Sequence, residues 1–293
     1  MDLKIAQLRN FVDVAETRSF QAAAARAFRS QPAISMALKT LEQQLHARLL
    51  DSGKPVMLTP FGEQFLPIAR QLLAHHDRVV LDASTMARGG QGCVSIAAVA
   101  SVATYWLPTI IRTFAARCPD VLVSAVDDTS RKVQELVENG QIEIGIGSIV
   151  LHPSEVMFEP LVTDHFGLVC RREHPLGNSD DPIAWQQLQG LDIIGNSTHA
   201  MLEGHDVYSF VRAPRIVLTT LTSLVANVRG GVGVTVLPKL GVPADADLSF
   251  RLLVEPQVPR TLGILTRKGR ALSPQGSAFC QVIRESLRHL GGA

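Results

Sequence analysis

One stretch organises the N-terminal part of this chain: Ser30-Gln31-Pro32-Ala33-Ile34-Ser35-Met36-Ala37-Leu38-Lys39. Ser30 is a residue type that caps helices, and Pro32 fits the first helical turn, where a missing backbone N–H leaves no hydrogen bond unmade. Apolar residues then recur at every third or fourth position and predict a helix with one apolar stripe: Ile34, Leu38, Leu41 and Leu45.

The opposite face of this predicted helix is small and polar, with one cation and no acid: Pro32, Ser35, Met36, Lys39 and Gln43. A shorter helix follows a Ser19 cap and covers residues 20–27, and residues 28–30 form the turn between the two helices. This pattern is typical of a helix-turn-helix whose second helix enters the major groove of DNA. An ordinary amphipathic helix with a solvent-exposed polar face would have the same pattern. The remaining sequence is therefore needed to distinguish it from a DNA-binding helix.

Composition indicates a globular protein, because 46% of the residues are apolar and 19% are charged. The 293 residues are enough for two or three domains. We expect a cytoplasmic location, since no stretch approaches 18 apolar residues and the first residues do not resemble a signal peptide. Residues 1–90 hold 11 Lys and Arg against 8 Asp and Glu, whereas residues 91–293 hold 17 against 19. A basic front attached to an acidic rear favours a DNA-binding module joined to something else.

Motifs for catalysis or metal binding are missing from the sequence. It contains no GxSxG, HExxH or Walker loop, so we expect neither an enzyme nor a cofactor. The cysteines lie far apart without zinc-finger spacing, and we expect reduced, buried thiols and no metal: Cys93, Cys118, Cys170 and Cys280.

Two further elements complete the N-terminal half. A Ser-Gly-Lys-Pro turn at residues 52–55 separates two apolar runs and predicts a short hairpin, which makes residues 1–59 a winged helix-turn-helix. Residues 60–90 then predict one long helix with apolar residues at heptad spacing: Phe65, Ala69, Leu72, His76, Val79 and Ala83. Such a seam indicates pairing with a second copy, and the alternative is a helix packed on its own domain.

The remaining residues, 91–293, alternate between strand and helix patterns and predict α/β structure. The first five elements, over residues 94–146, follow the order strand-helix-strand-helix-strand, which predicts a parallel sheet covered by helices on both faces. Predicted strands cover residues 94–99, 121–126, 142–146, 166–170, 192–195, 215–219, 233–237 and 261–266. Predicted helices cover residues 105–117, 130–139, 184–188, 221–229 and 274–290.

Several segments resemble the N-terminal domain of LysR-type transcriptional regulators, in order over about 60 residues. They are residues 8–16, residues 19–24, Ser30-Gln31-Pro32-Ala33-Ile34-Ser35, Leu41-Glu42-Gln43-Gln44-Leu45 and Leu58-Thr59-Pro60-Phe61-Gly62. The resemblance implies a periplasmic-binding-protein-like domain of two α/β lobes, with lobe one at 92–162 plus 267–293 and lobe two at 163–266. It also implies a small-molecule inducer between the lobes, inverted-repeat promoter DNA, RNA polymerase and a homodimer or homotetramer as partners.

The same resemblance implies a set of DNA-binding residues: Arg29, Ser30, Gln31, Pro32, Ser35, Met36, Lys39, Arg48 and Lys54. Arg29, Arg48 and Lys54 are expected to meet the DNA backbone, and the residues from Gln31 to Lys39 are expected in the groove. The chain departs from the family at the start of the wing. Leu50-Asp51 stands where the family usually has an aromatic residue and an arginine, and an acid there weakens a phosphate contact.

Open α/β sheets bind ligands beyond the carboxyl ends of their strands, which predicts an effector site in three loops. The expected residues are Ser101, Val102, Thr104, Thr129, Asn196, Ser197 and Thr198. Plain helix capping is the alternative for each of them, and Asp127 and Asp128 disfavour a strongly acidic ligand. Two other functions stay open: a small-molecule-binding protein or enzyme with a helical N-terminal cap, and a thiol-based redox regulator.

Overall fold

The computed structural model describes residues 3–51, 53, 55–87, 92–150 and 155–288. Contacts divide the chain into two compact units, residues 1–88 with 139–141 and residues 89–138 with 142–293. We name them the N-terminal unit and the C-terminal unit. No helix within the described ranges has both the length and the apolar character needed to cross a membrane.

The N-terminal unit contains the predicted helices and hairpin: α1 (Ile5–Thr17), α2 (Phe20–Arg26), α3 (Gln31–Leu45), β1 (Leu50–Asp51), β2 (Met57–Leu58) and α4 (Pro60–Ala87). β1 and β2 are antiparallel, with Leu50 opposite Leu58. The core forms where the apolar stripes of the helices meet, and Leu8, Phe11 and Ile34 are fully buried in it. Ser52 and Lys54 lie outside the described residues, so the predicted phosphate contact of Lys54 stays a prediction.

Local chemistry explains where these helices begin and end. The Ser19 hydroxyl accepts a hydrogen bond from the backbone N–H of Ala22 at 3.2 Å, which caps α2. α3 ends at His46, whose φ of 53° is left-handed. Gly62 in α4 has no room for a side chain, because a Cβ there would lie 2.1 Å from the carbonyl oxygen of Leu49. The wing and α4 therefore approach each other at a distance that only glycine permits.

The C-terminal unit is α/β. Its strands are β3 (Cys93–Val99), β4 (Leu122–Asp128), β5 (Ile144–Gly147), β6 (Val156–Arg171), β7 (Ile183–Ala184), β8 (Ile194–Gly195), β9 (Ile216–Val217), β10 (Thr235–Pro238), β11 (Leu248–Val254) and β12 (Pro259–Arg267). Its α-helices are α5 (Ala100–Tyr105), α6 (Leu107–Arg117), α7 (Ser130–Glu138), α8 (Leu221–Arg229) and α9 (Pro274–Arg288). The helix predicted at 184–188 is instead a short 3-10 turn, Trp185–Leu188.

The main sheet is mixed, and the parallel pairing predicted for the strands within residues 94–146 is confirmed. Its strand order is β4-β3-β5-β12-β6-β11-β7, and β10 also pairs with β6. β3 is parallel to β4 and to β5, as predicted. β12 is antiparallel to both β5 and β6, and β10 and β11 are antiparallel to β6. The sequence did not predict the antiparallel part, because β6 begins at Val156, ten residues before the predicted strand, and because β11 was not predicted.

The long strands β6 and β12 run through both parts of this unit. One apolar core lies around β3, β5, α6 and α9, where Phe114 and Phe279 meet edge to face at 4.9 Å. A second core surrounds the C-terminal half of β6, where Phe166 and Trp185 are buried. We call the part around the first core lobe one and the part around the second core lobe two.

Candidate DNA-binding surface and effector site

Helix α3 has one buried apolar face and one exposed polar face, as predicted. Ile34 and Leu41 are fully buried and Leu38 is 3% exposed, so the apolar stripe packs on α1 and α2. The opposite face is open to solvent at every position singled out in the sequence: Gln31, Pro32, Ser35, Met36 and Lys39. Arg29, Ser30 and Arg48 are exposed as well. The predicted DNA-binding residues described by the structure therefore all lie at the surface, and those of α3 share one face.

An ion-pair network holds α1, α2 and α4 together behind this face. Arg26 of α2 contacts Asp13 at 3.2 Å and Glu16 at 2.8 Å, both in α1. Arg70 of α4 lies 3.2 Å from the second oxygen of Glu16, and the charges of Arg26 and Arg70 lower the pKa of Glu16 although its burial raises it. α4 is thus tied directly to the helices that support α3.

Glu42 fixes the wing to α3. This role was not predictable from the sequence, where Glu42 is only part of the segment that resembles the family. One carboxylate oxygen of Glu42 accepts the backbone N–H of Leu49 at 2.7 Å and that of Leu50 at 3.2 Å. Both donors belong to the segment that enters β1. The first residues of the wing therefore keep a set position relative to the exposed face of α3.

The predicted pairing seam on α4 is only partly open. Ala69 is 1% exposed and lies in the core of its own unit, and Phe65 packs there against Phe11 at 5.8 Å between ring centroids. Further along, the seam becomes solvent-exposed, with Val79 at 51% and Val80 at 54%. Leu72 and Ala83 are also exposed, and His76 is half-buried beside Asp77. The apolar residues of α4 that pack on the unit's own core over residues 65–73 are thus followed by the exposed residues Val79, Val80 and Ala83.

Three parallel strands of lobe one end at the same edge of the sheet. Ser101 follows β3, Thr129 follows β4 and Ser148 follows β5. Ser101 is 7% and Ser148 is 3% exposed, and Val102 is fully buried, whereas Thr104 and Thr129 are exposed. The Thr129 hydroxyl accepts the Lys132 N–H at 3.3 Å and so caps α7. Within the described residues the Ser148 hydroxyl has no hydrogen-bond partner.

A buried ion pair lies beside Ser101, and sequence reasoning missed it. Arg260 of β12 and Asp164 of β6 are opposite each other in the sheet and form two hydrogen bonds, at 2.9 and 2.7 Å. Arg260 also donates to the Ser101 hydroxyl of lobe one at 3.2 Å. Asp164 accepts the N–H of Leu240 at 2.8 Å, and Leu240 follows β10 and packs on the core of lobe one. Arg260 is 3% exposed and Asp164 is 6% exposed. The pair lies where the long strands β6 and β12 cross between the lobes.

The lobe-two loop holds a closed polar network. The Asn196 side chain accepts from the backbone N–H and the hydroxyl of Thr198, and it donates to Thr235 at 2.9 Å and to the Val236 carbonyl at 3.1 Å. Asn196 also lies 3.0 Å from Nε2 of His199, whose pKa falls to about 4, chiefly because of burial. Asn196 is therefore a loop-closing cap, and Ser197 is the exposed hydroxyl of this loop.

A pocket of about 840 Å³ lies elsewhere in lobe two, with Gln189, Asp192, Ser209 and Arg215 among its lining residues. None of the predicted effector residues lines it. Ser101, Ser148 and the Arg260–Asp164 pair do not line this pocket either.

Two of the four thiols are too deeply buried to be reactive. Cys93, Cys170 and Cys280 are buried, Cys118 is half-buried, and none of these four described cysteines forms a disulfide. Burial raises the pKa of Cys170 and of Cys280 to about 11. Thiol reactivity requires the thiolate, so these two side chains are inert near neutral pH. Within the described residues, no three His, Cys, Asp or Glu side chains are grouped as metal ligands.

Comparisons with known proteins agree with this architecture. HTH-type transcriptional regulator YbhD of Escherichia coli K12 is 30% identical, over 97% of this chain and 92% of YbhD. A probable hydrogen peroxide-inducible genes activator of Streptomyces viridosporus is 30% identical, over 98% of this chain and 95% of that protein. Among solved structures, CbnR, a LysR family transcriptional regulator, superposes with a TM-score of 0.65 at 24% identity, over 97% of this chain and 99% of that chain.

Family models cover most of the chain. Residues 5–63 match the bacterial regulatory helix-turn-helix protein model of the lysR family, and residues 87–288 match the LysR substrate binding domain. The first match contains α1 to β2, and the second contains β3 to α9. The chain belongs to the LysR family of transcriptional regulators, with a DNA-binding helix-turn-helix and an effector-binding domain.

Proposed function

We propose that this regulator binds inverted-repeat promoter DNA as a homodimer, or as a pair of dimers, and that a small molecule held between lobes one and two changes that binding. RNA polymerase is the proposed further partner, because a promoter-bound regulator acts on transcription initiation. The proposed location is the cytoplasm, where a bacterial promoter lies. The observation that carries the proposal is the exposed, acid-free face of α3 above a fully buried apolar stripe.

The exposed residues of α3 suit the major groove. Lys39 and Gln31 can donate hydrogen bonds to base edges, and the side chain of Met36 suits the methyl group of thymine. Arg29 and Arg48 flank this face and suit phosphates, which position a protein on DNA without selecting its sequence. Lys54 is proposed for the same role from the wing.

A dimer follows from the geometry of recognition. One helix in a groove contacts only a few base pairs, so a two-fold pair is needed to specify a promoter site. Exposed apolar residues of α4 support this, since a long helix with such residues on one face is what a coiled-coil partner covers: Leu72, Val79, Val80 and Ala83. Phe65 and Ala69 are not part of the proposed interface, because they serve the core of their own unit.

The effector proposal rests on Ser101, Ser148 and the Arg260–Asp164 pair. Ser101 accepts a hydrogen bond from Arg260, which leaves the Ser101 hydroxyl hydrogen to donate to a ligand. Ser148 is buried, and its hydroxyl has no partner among the described residues, which costs about 1–3 kcal/mol until a ligand supplies one. Asp164 already neutralises Arg260, so we propose a small polar effector with hydrogen-bond acceptors. We also assign to this site the other predicted residues: Val102, Thr104, Thr129, Ser197 and Thr198. Asn196 holds the lobe-two loop in place through its hydrogen bonds.

A ligand can alter DNA binding only through different affinities for two arrangements of the protein. The Arg260–Asp164 pair lies on β6 and β12, where these strands cross between the lobes, and it contacts Ser101 and the Leu240 N–H, so closing the lobes on a ligand acts directly on this link. We propose that the pair is the pivot of that movement.

Selection from a pool of random DNA duplexes tests the DNA-binding proposal. The full chain is incubated with the pool, bound duplexes are amplified over several rounds, and the recovered sites are measured by fluorescence anisotropy at several salt concentrations. We expect an inverted repeat with half-sites about one helical turn apart and an affinity that falls steeply with salt. Recovery of no common sequence would favour a small-molecule-binding protein or an enzyme with a helical cap.

A thermal-shift screen of a metabolite library tests the effector site. Ser148→Ala should abolish most of the stabilisation by a metabolite that stabilises the wild type, because its hydroxyl contacts the ligand. Ser249→Ala is the matched control, since Ser249 is 1% exposed, also lacks a partner within the described residues, and lies on β11 away from the strand ends. Equal stabilisation of wild type and Ser148→Ala would remove Ser148 from the site.

A further inference from the structure

Phe28 has an unusual environment in the turn between α2 and α3. Its side chain is 97% exposed, and its backbone φ is 51°, in the left-handed region. The N–H of Phe28 donates to the Ala25 carbonyl at 3.2 Å, and the N–H of Arg29 donates to the Ala24 carbonyl at 2.9 Å. This is the way many helices end, with glycine or asparagine at the left-handed position. Here a phenylalanine occupies it.

Two separate costs therefore fall on one residue. A left-handed backbone costs an L-residue with a bulky side chain roughly 1–2 kcal/mol relative to glycine. An exposed phenylalanine also forgoes the roughly 1.5–3 kcal/mol that burial of the ring contributes elsewhere. At 97% exposure the ring gains almost nothing from packing within its own unit. Strained residues of this kind cluster at functional sites, which justifies asking what the ring contacts.

The position of Phe28 indicates the partner. Phe28 lies two residues before Ser30, the cap of α3, and is followed directly by the exposed Arg29. The ring is thus carried at the N-terminal end of the helix proposed to lie in the major groove. The neighbouring cation favours a polyanion over an apolar protein surface. The apolar groups that duplex DNA offers near the rim of that groove are the sugar carbons and the thymine methyl groups.

We propose that Phe28 is a DNA-contacting residue, and that its ring packs on a deoxyribose or a thymine methyl group at the rim of the major groove. This inference rests on the proposed placement of α3 in the groove. The left-handed backbone turns the ring away from the protein core and toward the DNA. Phe28 therefore adds affinity without a charge, in contrast to Arg29.

The test compares Phe28→Gly with the wild type on the duplex recovered by selection. Glycine relieves the backbone strain, so the variant should unfold at an equal or higher urea concentration. Its affinity for the duplex should nevertheless fall roughly tenfold, with an unchanged slope of log affinity against log salt, because no charge is lost. Arg29→Ala is the contrasting variant, and it should lower that slope by about one.

Phe28→Asn checks that the loss belongs to the ring, since asparagine also tolerates the left-handed region, and we expect the same loss. Duplexes with uracil in place of thymine separate the two sources of the contact. If uracil lowers the affinity of the wild type but not that of Phe28→Gly, the ring contacts the thymine methyl group. If uracil leaves the affinity of the wild type unchanged, the ring contacts the deoxyribose. Undiminished affinity of Phe28→Gly would overturn the proposal, as would a changed oligomeric state in light scattering, which would assign the ring to a second copy. Failure of the wild type to bind any duplex would instead refute the proposed DNA site itself.

Discussion

Arg260 and Asp164 form a buried ion pair whose two members belong to the two strands that cross between the lobes. Ion pairs so deeply buried gain little over an apolar pair, but removal of one partner leaves an uncompensated charge. The pair therefore makes the arrangement of the lobes specific rather than simply more stable. The Ser101 hydroxyl and the Leu240 N–H form further hydrogen bonds with the pair.

Arg260→Met leaves Asp164 buried without its counter-ion. We expect the free energy of unfolding, measured by urea denaturation, to fall by about 3–5 kcal/mol. The double variant Arg260→Met with Asp164→Leu removes both charges and should recover most of that loss. A single variant as stable as the wild type would contradict this account of the pair.

His199 responds to acid because it is buried and neutral. Burial lowers its pKa from 6.5 to about 4 in the folded protein, whereas the unfolded chain keeps the ordinary value. Above pH 6.5 neither state binds the proton, so stability does not depend on this group. As pH falls from 6.5 toward 4 the unfolded chain binds the proton first, and the folded state loses about 3 kcal/mol in total.

The matched variant is His199→Gln, which keeps a polar side chain but does not titrate. The difference in unfolding free energy between wild type and variant should change with pH between 6.5 and 4 and stay constant above 6.5. The carboxylates and the other titratable groups are the same in both proteins, so their contributions cancel in the difference in unfolding free energy. A difference that is constant over the whole range would show that His199 is not the titrating group.

At the scale of elements, the sequence predicted α1 to α4 and the wing, because their apolar residues follow helical or hairpin periods. The roles of Glu42, Arg70 and Arg260 were not predictable, since each depends on a partner distant in the chain. Ser148 had a usable signal, because it follows β5 just as Ser101 follows β3. The capping role of Asn196 was anticipated as an alternative and is what the hydrogen bonds describe.

Glu42→Ala tests how the wing is held. Loss of the carboxylate leaves the N–H groups of Leu49 and Leu50 without their acceptor, and we expect a loss of stability of about 1–3 kcal/mol. DNA affinity should fall as well, since the wing loses its position relative to α3. Glu42→Gln retains an oxygen acceptor and should stay close to the wild type in urea denaturation. Equal stability of the Ala and Gln variants would show that these hydrogen bonds contribute nothing.

The uncovered face of α4 gives a prediction about assembly. Val79→Glu together with Val80→Glu places two carboxylates on that face and should convert dimer to monomer in size-exclusion chromatography with light scattering. Gln64→Glu is the control for an added carboxylate, because Gln64 is exposed about four helical turns before Val79 on the same helix. A double variant that stays dimeric would move the interface away from residues 79–83.

At the scale of the whole molecule, α/β alternation predicted the lobes but not their mixed sheet. The parallel strands β4, β3 and β5 follow from short apolar runs separated by helices. β6 carries polar residues such as Glu159 and Asp164 and pairs with β12 over long distances in sequence, so no local period marks its first half. The residues that join the lobes therefore lie on the strands that sequence patterns describe least well.

We propose that the exposed face of α3 selects the DNA sequence, and the substitution of Lys39 tests this proposal. Affinities of wild type, Lys39→Ala and Lys132→Ala are measured by fluorescence anisotropy for the selected duplex and for an unrelated one. Lys132 is an exposed lysine of α7, so its variant loses the same charge elsewhere. We expect Lys39→Ala to lose about 1–3 kcal/mol on the selected duplex and much less on the unrelated one, with Lys132→Ala unchanged on both. Equal affinities of Lys39→Ala and Lys132→Ala for the selected duplex would show that Lys39 does not contribute to the choice of sequence.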